Sequence, residues 1–153
     1  IQEIMSLEKK IMEAIKTAMK EKNQQALAAL RAVKSELILL KTSGSLSELN
    51  ETDENKILQK LVKQRKDSAS IFSKQNREDL AVPELEQAEI ISQFLPKQMS
   101  EYEVEIVVAE IINKTGANSM KDMGKVMGLT NSQLAGKADG KTISGIVKKL
   151  LSN

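Results

Sequence analysis

Along the first fifth of the chain, apolar residues recur at Leu7, Ile11, Met12, Ile15 and Met19, with lysines and glutamates between them. Steps of three and four are the signature of one stripe of an α-helix, and Ser6 stands where a helix cap would. Asn23 breaks the stripe. A second stripe runs through Ala26, Leu27, Leu30, Val33, Leu37, Ile38 and Leu40 to a stop at Thr42-Ser43-Gly44-Ser45, predicting an antiparallel pair. After the acidic stretch Glu48 to Glu54, with Thr52 as expected cap, a third stripe of Ile57, Leu58, Leu61, Val62, Ala69 and Phe72 predicts the longest helix. A fourth is expected to begin with Pro83 in its first turn and to bury Leu85, Ala88, Ile91, Phe94 and Leu95 until Pro96 ends it.

Ser100 and Glu103 have capping-box spacing, opening a helix through Val104, Val107, Val108, Ile111 and Ile112 that closes at Gly116. Beyond it the pattern predicts a helical piece over 119–127 ended by Gly128, a short turn at 132–135 ended by Gly136, and a last helix from about Lys141 to Leu151. No segment alternates as a strand does. Six of the seven glycines lie between Gly116 and Gly145, a shift in composition that places a boundary at Pro96 to Ser100. The expected fold is all-α with two helical lobes: a four-helix amino-terminal domain, residues 5–96, and a smaller three-helix carboxy-terminal domain, residues 97–153. Met5-Ser6-Leu7 reads as a natural start, so residues 1–4 are set aside.

Composition narrows the chemistry. The 153 residues contain no Cys and no His. Thiolate nucleophiles, imidazole bases, disulfides and ordinary structural zinc sites are therefore excluded. No apolar run reaches the ~20 residues of a membrane span, and the amino-terminal residues lack signal-peptide character, so the expected compartment is the cytoplasm. Candidate chemistry reduces to near misses. Gly136-Lys137-Ala138-Asp139-Gly140-Lys141-Thr142 has one residue too few for a P-loop and follows no strand; Asp139 or Thr142 is expected to cap a helix there. Ser6-x-x-Lys9 lacks any oxyanion support, the paired glutamates have no apolar pocket, and Met120, Met123 and Met127 read as core packing. No catalytic residue, metal site or cofactor is expected.

Charge changes the picture more. The total is only +2. Residues 56–77 nevertheless hold Lys56, Lys60, Lys63, Arg65, Lys66, Lys74 and Arg77 against the single acid Asp67, and residues 111–153 hold seven lysines against two aspartates. Residues 84–110 are the reverse, with seven glutamates and one lysine. Two readings follow: the basic runs bind a nucleic-acid backbone, or they are solvated faces that pair with the acidic segment. With Phe72, Phe94 and Tyr102 as the only aromatics, base stacking is scarce, and a folded RNA read through its phosphates suits the chain better than a single strand.

Lys121-Asp122-Met123-Gly124-Lys125-Val126-Met127-Gly128, followed by Leu134-Ala135-Gly136-Lys137-Ala138-Asp139-Gly140, resembles the hallmark of the GatB/YqeY family. Leu61-Val62-Lys63-Gln64-Arg65-Lys66-Asp67-Ser68 extends the resemblance, as does the stretch from Glu84 through Phe94-Leu95-Pro96-Lys97-Gln98. The resemblance implies a stand-alone, all-helical module similar to the tail of GatB, the component of the glutamine-dependent tRNA amidotransferase whose tail helps hold tRNA. It implies Lys125, Lys137 and Lys141, with Arg65 and Lys66, as RNA contacts, and Gly124, Gly128, Gly136 and Gly140 as points of close backbone approach. Expected partners are tRNA and amidotransferase or aminoacyl-tRNA synthetase machinery, with no membrane and no DNA. The amidase centre and nucleotide domain of that enzyme have no counterpart here, so carbon-nitrogen ligase activity with glutamine as amide donor would need partner proteins. The alternative from another class is a helical protein-interaction module that binds no RNA. Arg65 has an alternative too, as a structural partner of glutamates on the fourth helix.

Overall fold

A computed structural model describes residues 6–43 and 50–152. Gly44-Ser45, Glu48 and Met5, which figure in the expectations above, lie outside them. The described residues form seven α-helices and one short 3₁₀ turn, with no strand. They gather into two compact units, one ending at Leu95 and the other beginning at Pro96.

The first unit holds α1 (Leu7–Glu21), α2 (Gln24–Thr42), α3 (Glu51–Lys74) and α4 (Glu78–Ser92). Ser6 caps α1 by accepting from the Lys9 N–H, and Lys22, at φ 55°, turns the chain so that Asn23 caps α2 two residues after α1 ends. Such a short connection makes α1 and α2 a helical hairpin. Ile11, Leu30, Val33, Leu58, Leu61, Ala88 and Ile91 meet in the core of this unit. The α1 stripe differs from expectation. Met12 and Met19 are exposed and Ala18 is buried, because at 100° per residue the two methionines sit about a quarter turn away from Ile11, Ile15 and Ala18. Ile38 and Leu85 are likewise exposed, and Phe72 is half-buried outside the core cluster.

Two helix starts are corrected. Asn50, not Thr52, caps α3, accepting from the Asp53 N–H at 2.8 Å; Thr52 lies inside the first turn, and the apolar stripe that signalled the helix begins only a turn later. Helix α4 starts at Glu78, so Pro83 is an interior residue. Asn76, at φ 59°, makes the turn from α3, and Arg77 donates its N–H to the Phe72 carbonyl at 2.8 Å. With no N–H, Pro83 leaves the Asp79 carbonyl without its helical donor.

The second unit holds α5 (Glu101–Thr115), a 3₁₀ turn at Met120–Asp122, α6 (Met123–Gln133) and α7 (Gly140–Leu151). The Ser100–Glu103 capping box is complete, and Gly116 closes α5 at φ 71°. Val104, Val108, Val126, Ile143 and Val147 are fully buried or nearly so. Gly128 does not end a helix: it sits mid-way along α6, which runs on through Ser132 to Gln133. The turn to α7 covers 134–137 instead, with Gly136 at φ 80°. Met123 and Met127 pack on the core, whereas Met120 is exposed.

Candidate nucleic-acid interface

The five cationic candidates divide between the units. Arg65 and Lys66 are on α3; Lys125 is on α6, Lys137 in the 134–137 turn and Lys141 in the first turn of α7.

Arg65 is held within its own unit. Its Nε donates to Gln87 Oε1 on α4 at 3.0 Å, one Nη to the Leu61 carbonyl at 3.2 Å, and Gln87 Nε2 in turn donates to Gln25 Oε1 on α2 at 2.8 Å. The chain of three side chains ties α3, α4 and α2 together. The fourth-helix partner is therefore a glutamine, not a glutamate. Lys66, one residue on, is exposed and points about 100° away along the helix.

The basic run of α3 is weaker in the fold than in the sequence. The helix begins at Glu51, so Glu51, Asp53, Glu54 and Asp67 offset its six basic residues. Lys63 pairs with Asp67 at 2.6 Å and Lys60 with Glu36 of α2 at 3.5 Å. Arg77, just past the helix, is clamped by both carboxylate oxygens of Asp79, which holds that carboxyl below its ordinary range. Burial is what pushes the Glu54 carboxyl upward; nearby Glu51 adds to this and Lys10 opposes it.

The second unit is different. Lys114, Lys121, Lys125, Lys137, Lys141, Lys148 and Lys149 are all exposed, and among the described residues only Lys149 meets a carboxylate, Glu105 at 3.8 Å. The two nearby aspartates serve the backbone: Asp122 accepts from the Asn118 N–H at 3.1 Å, and Asp139 caps α7 by accepting from the Thr142 N–H at 2.6 Å. Asp139, not Thr142, is thus the cap. Lys137 and Lys141 flank this capped helix start. Lys125 lies on the solvent face of α6 beside Gly124 and Gly128.

The glycines separate into two kinds. Gly136 is buried, has a positive φ, and its carbonyl accepts from Gln98 Nε2 at 2.7 Å, so its role is backbone geometry. Gly124, Gly128, Gly140 and Gly145 are exposed, and a Cβ built on any of them meets nothing within 4 Å. They are not sites where two helices cross closely. A glycine inside a helix costs about 1 kcal/mol relative to alanine, and here no internal packing recovers it. Gly145 was not among the candidates, although Lys141, Gly145 and Lys148 fall at i, i+4 and i+7, a spacing that puts them on one face of α7.

Tyr102 is 72% exposed, and Phe94 packs against the core of the first unit. Among the described residues no three carboxylates gather in a way that could hold a metal ion, and no helix is long and apolar enough to cross a membrane.

An all-helical protein whose carboxy-terminal unit bears exposed lysines, most of them unpaired among the described residues, and open glycines is the class these features define. A family model described as Yqey-like protein matches residues 8–151, and the chain belongs to that family, which occurs both as the tail domain of GatB and as stand-alone proteins. The chain is also similar to altered inheritance of mitochondria protein 41, mitochondrial, of Clavispora lusitaniae (strain ATCC 42720). The two are 31% identical over 124 residues, covering 79% of this chain and 72% of that protein.

Proposed function

We propose that this protein is a tRNA-binding adaptor, not catalytic alone, that presents tRNA to amidotransferase or aminoacyl-tRNA synthetase machinery in the cytoplasm. In this reading the two units are separate lobes of four and three helices, and the second makes the principal RNA contacts.

One observation carries it: six exposed lysines of the second unit, Lys114, Lys121, Lys125, Lys137, Lys141 and Lys148, meet no carboxylate within ion-pair reach among the described residues. Lysines that neutralise phosphates release condensed counterions, which favours binding and makes it salt-dependent. Bare glycines beside them let a sugar-phosphate backbone come close to the helix surface. Lys66 adds a contact from the first unit, while Arg65 acts on the fold through Gln87 and leaves RNA affinity little changed.

The test is tRNA binding across a salt series, with random single-stranded RNA as competitor and a Lys125→Ala, Lys137→Ala, Lys141→Ala triple variant alongside. The expected result is preference for tRNA and a slope of log K against log salt that falls by about one for each phosphate-bound lysine removed. Equal affinity for random RNA, or an unchanged slope in the variant, would sink the adaptor reading and leave a protein-interaction module.

A further inference from the structure

The first unit carries a groove of about 490 Å³ between α4 and the start of α2, and the RNA reading makes no use of it. Val82, Leu85 and Ile90 supply its apolar lining, Glu86 and Glu89 its acidic lining, and Asn23 and Gln25 line it from the start of α2. Val82 and Leu85 are each 48% exposed. Residues 82, 85, 86, 89 and 90 follow the three-and-four rhythm of a single helix face, spanning about 12 Å, or two turns.

The charge of α4 says what fits there. The helix has five acidic residues, Glu78, Asp79, Glu84, Glu86 and Glu89, and no basic one. Among the described residues only Asp79 meets a cation, Arg77. Glu89 sits in the last turn, where the exposed carbonyls make a carboxylate unfavourable and a lysine favourable. Glu86 and Glu89, the latter at the unfavourable end of the helix, stand beside exposed valine and leucine and repel RNA and anionic lipid alike. They complement a cationic, partly apolar surface.

We propose that this groove docks a basic amphipathic segment of a partner protein. Such a segment would seat apolar side chains at i, i+3, i+4 and i+7 on Val82, Leu85 and Ile90 and bring lysine or arginine to Glu86 and Glu89. The site takes protein, and its occupation does not depend on whether the other unit binds RNA.

The probe is a synthetic amidated helical peptide with leucine at i, i+3, i+4 and i+7 and lysine at the flanking positions. It is titrated into the ¹⁵N-labelled full chain beside a scrambled peptide of identical composition. The amphipathic peptide is expected to shift amide resonances of residues 82–90 and 23–25 and to bind at least tenfold tighter than the scramble. A Leu85→Ser, Glu86→Lys, Glu89→Lys variant is expected to lose at least tenfold in affinity with only a small fall in Tm, since Leu85 is already 48% exposed and lysine at 89 suits that helix end. Should this variant melt early, Glu86→Gln with Glu89→Gln gives the same reading without reversing charge. Equal binding of the scramble, shifts confined to other residues, or unchanged affinity in the variants would overturn the proposal. So would sedimentation showing that the free chain dimerises and that the variant dissociates it, because the groove would then belong to a second copy.

Discussion

Helices α3 and α7 both carry lysine-rich runs, and the fold treats them differently. Along α3, Lys63 and Lys60 find carboxylates, Arg65 is drawn into a hydrogen-bond chain with Gln87 and Gln25, and three acids stand in the first turn. Along α7, Lys149 reaches Glu105 at 3.8 Å, Lys141 and Lys148 find no carboxylate among the described residues, and the one aspartate beside them caps the helix. A basic run in a sequence is therefore not yet a basic surface. What counts is what neighbours in space leave unanswered: half of the α3 run, Lys60, Lys63 and Arg65, is engaged, against one of the three lysines on α7.

The comparison can be broken first at the cores. Ile143, on the inner face of α7, is almost fully buried, and Ile143→Ala is expected to cost about 2–4 kcal/mol in urea titration. It should also abolish most tRNA binding, because the lysines lose their platform. If the chain keeps full affinity with that core loosened, the RNA contacts lie elsewhere.

Next in size is Arg65→Ala, expected to destabilise by about 1–3 kcal/mol because Gln87 Oε1 and the Leu61 carbonyl lose their donor in a half-buried place. Lys66→Ala, on the exposed side of the same helix, is expected to stay within ~0.5 kcal/mol of the parent. The contrast inverts for RNA: Lys66→Ala weakens binding and Arg65→Ala leaves it nearly unchanged once the fold is intact.

Replacing Gly124 or Gly128 by alanine sharpens the comparison. Each change is expected to stabilise α6 by up to about 1 kcal/mol, since the new methyl group meets open space. The proposed role requires the same variants to bind tRNA less well. A gain in both stability and affinity would remove any ligand role for these glycines.

The smallest effects are titrations of opposite sign. Glu103, held low chiefly by the Ser100 N–H it accepts from, stabilises its unit above the ordinary carboxylate range; that contribution is lost as pH falls through its lowered pKa. Glu54, pushed up by burial, does the reverse, and protonation as pH falls through its raised pKa relieves a cost. Glu103→Gln should therefore lower Tm at neutral pH and Glu54→Gln should raise it. Both differences are expected to fade in acid, below the pKa of each group.

Much of the helical pattern was legible because caps are local. Ser6, the Ser100–Glu103 box and Gly116 each act within a few residues of themselves, so spacing alone revealed them, whereas Asn23 shows in the pattern only as a break and its capping of α2 does not. The start of α4 was not legible: Pro83 fits a first turn equally well, and the signal that decided the matter, Asn76 in the left-handed region, has no mark in the apolar pattern. Leu85 shows the same limit from the packing side. It lies on the expected stripe, yet the face it shares with Val82 stays partly uncovered. The site was legible as composition, in lysines and glycines after residue 110. Which lysines lack a carboxylate depends on distances between helices, and Gln87 as the partner of Arg65 depends on a separation of 22 residues that no local rule spans.

The lead-in at residues 96–99 has a consequence for where the second unit can be cut. The Met99 N–H donates to the Lys137 carbonyl at 2.8 Å, while Gln98 Nε2 reaches both the Gly136 and Pro96 carbonyls at 2.7 and 2.8 Å. The entering segment is thus sewn to the turn that launches α7 before α5 has begun. A fragment begun at Ser100 would keep α5, α6 and α7 and lose that stitching, whereas one begun at Pro96 keeps it. The second unit, trimmed to stand by itself, therefore begins four residues before its first helix cap, inside the span of 8–151 over which the family matches.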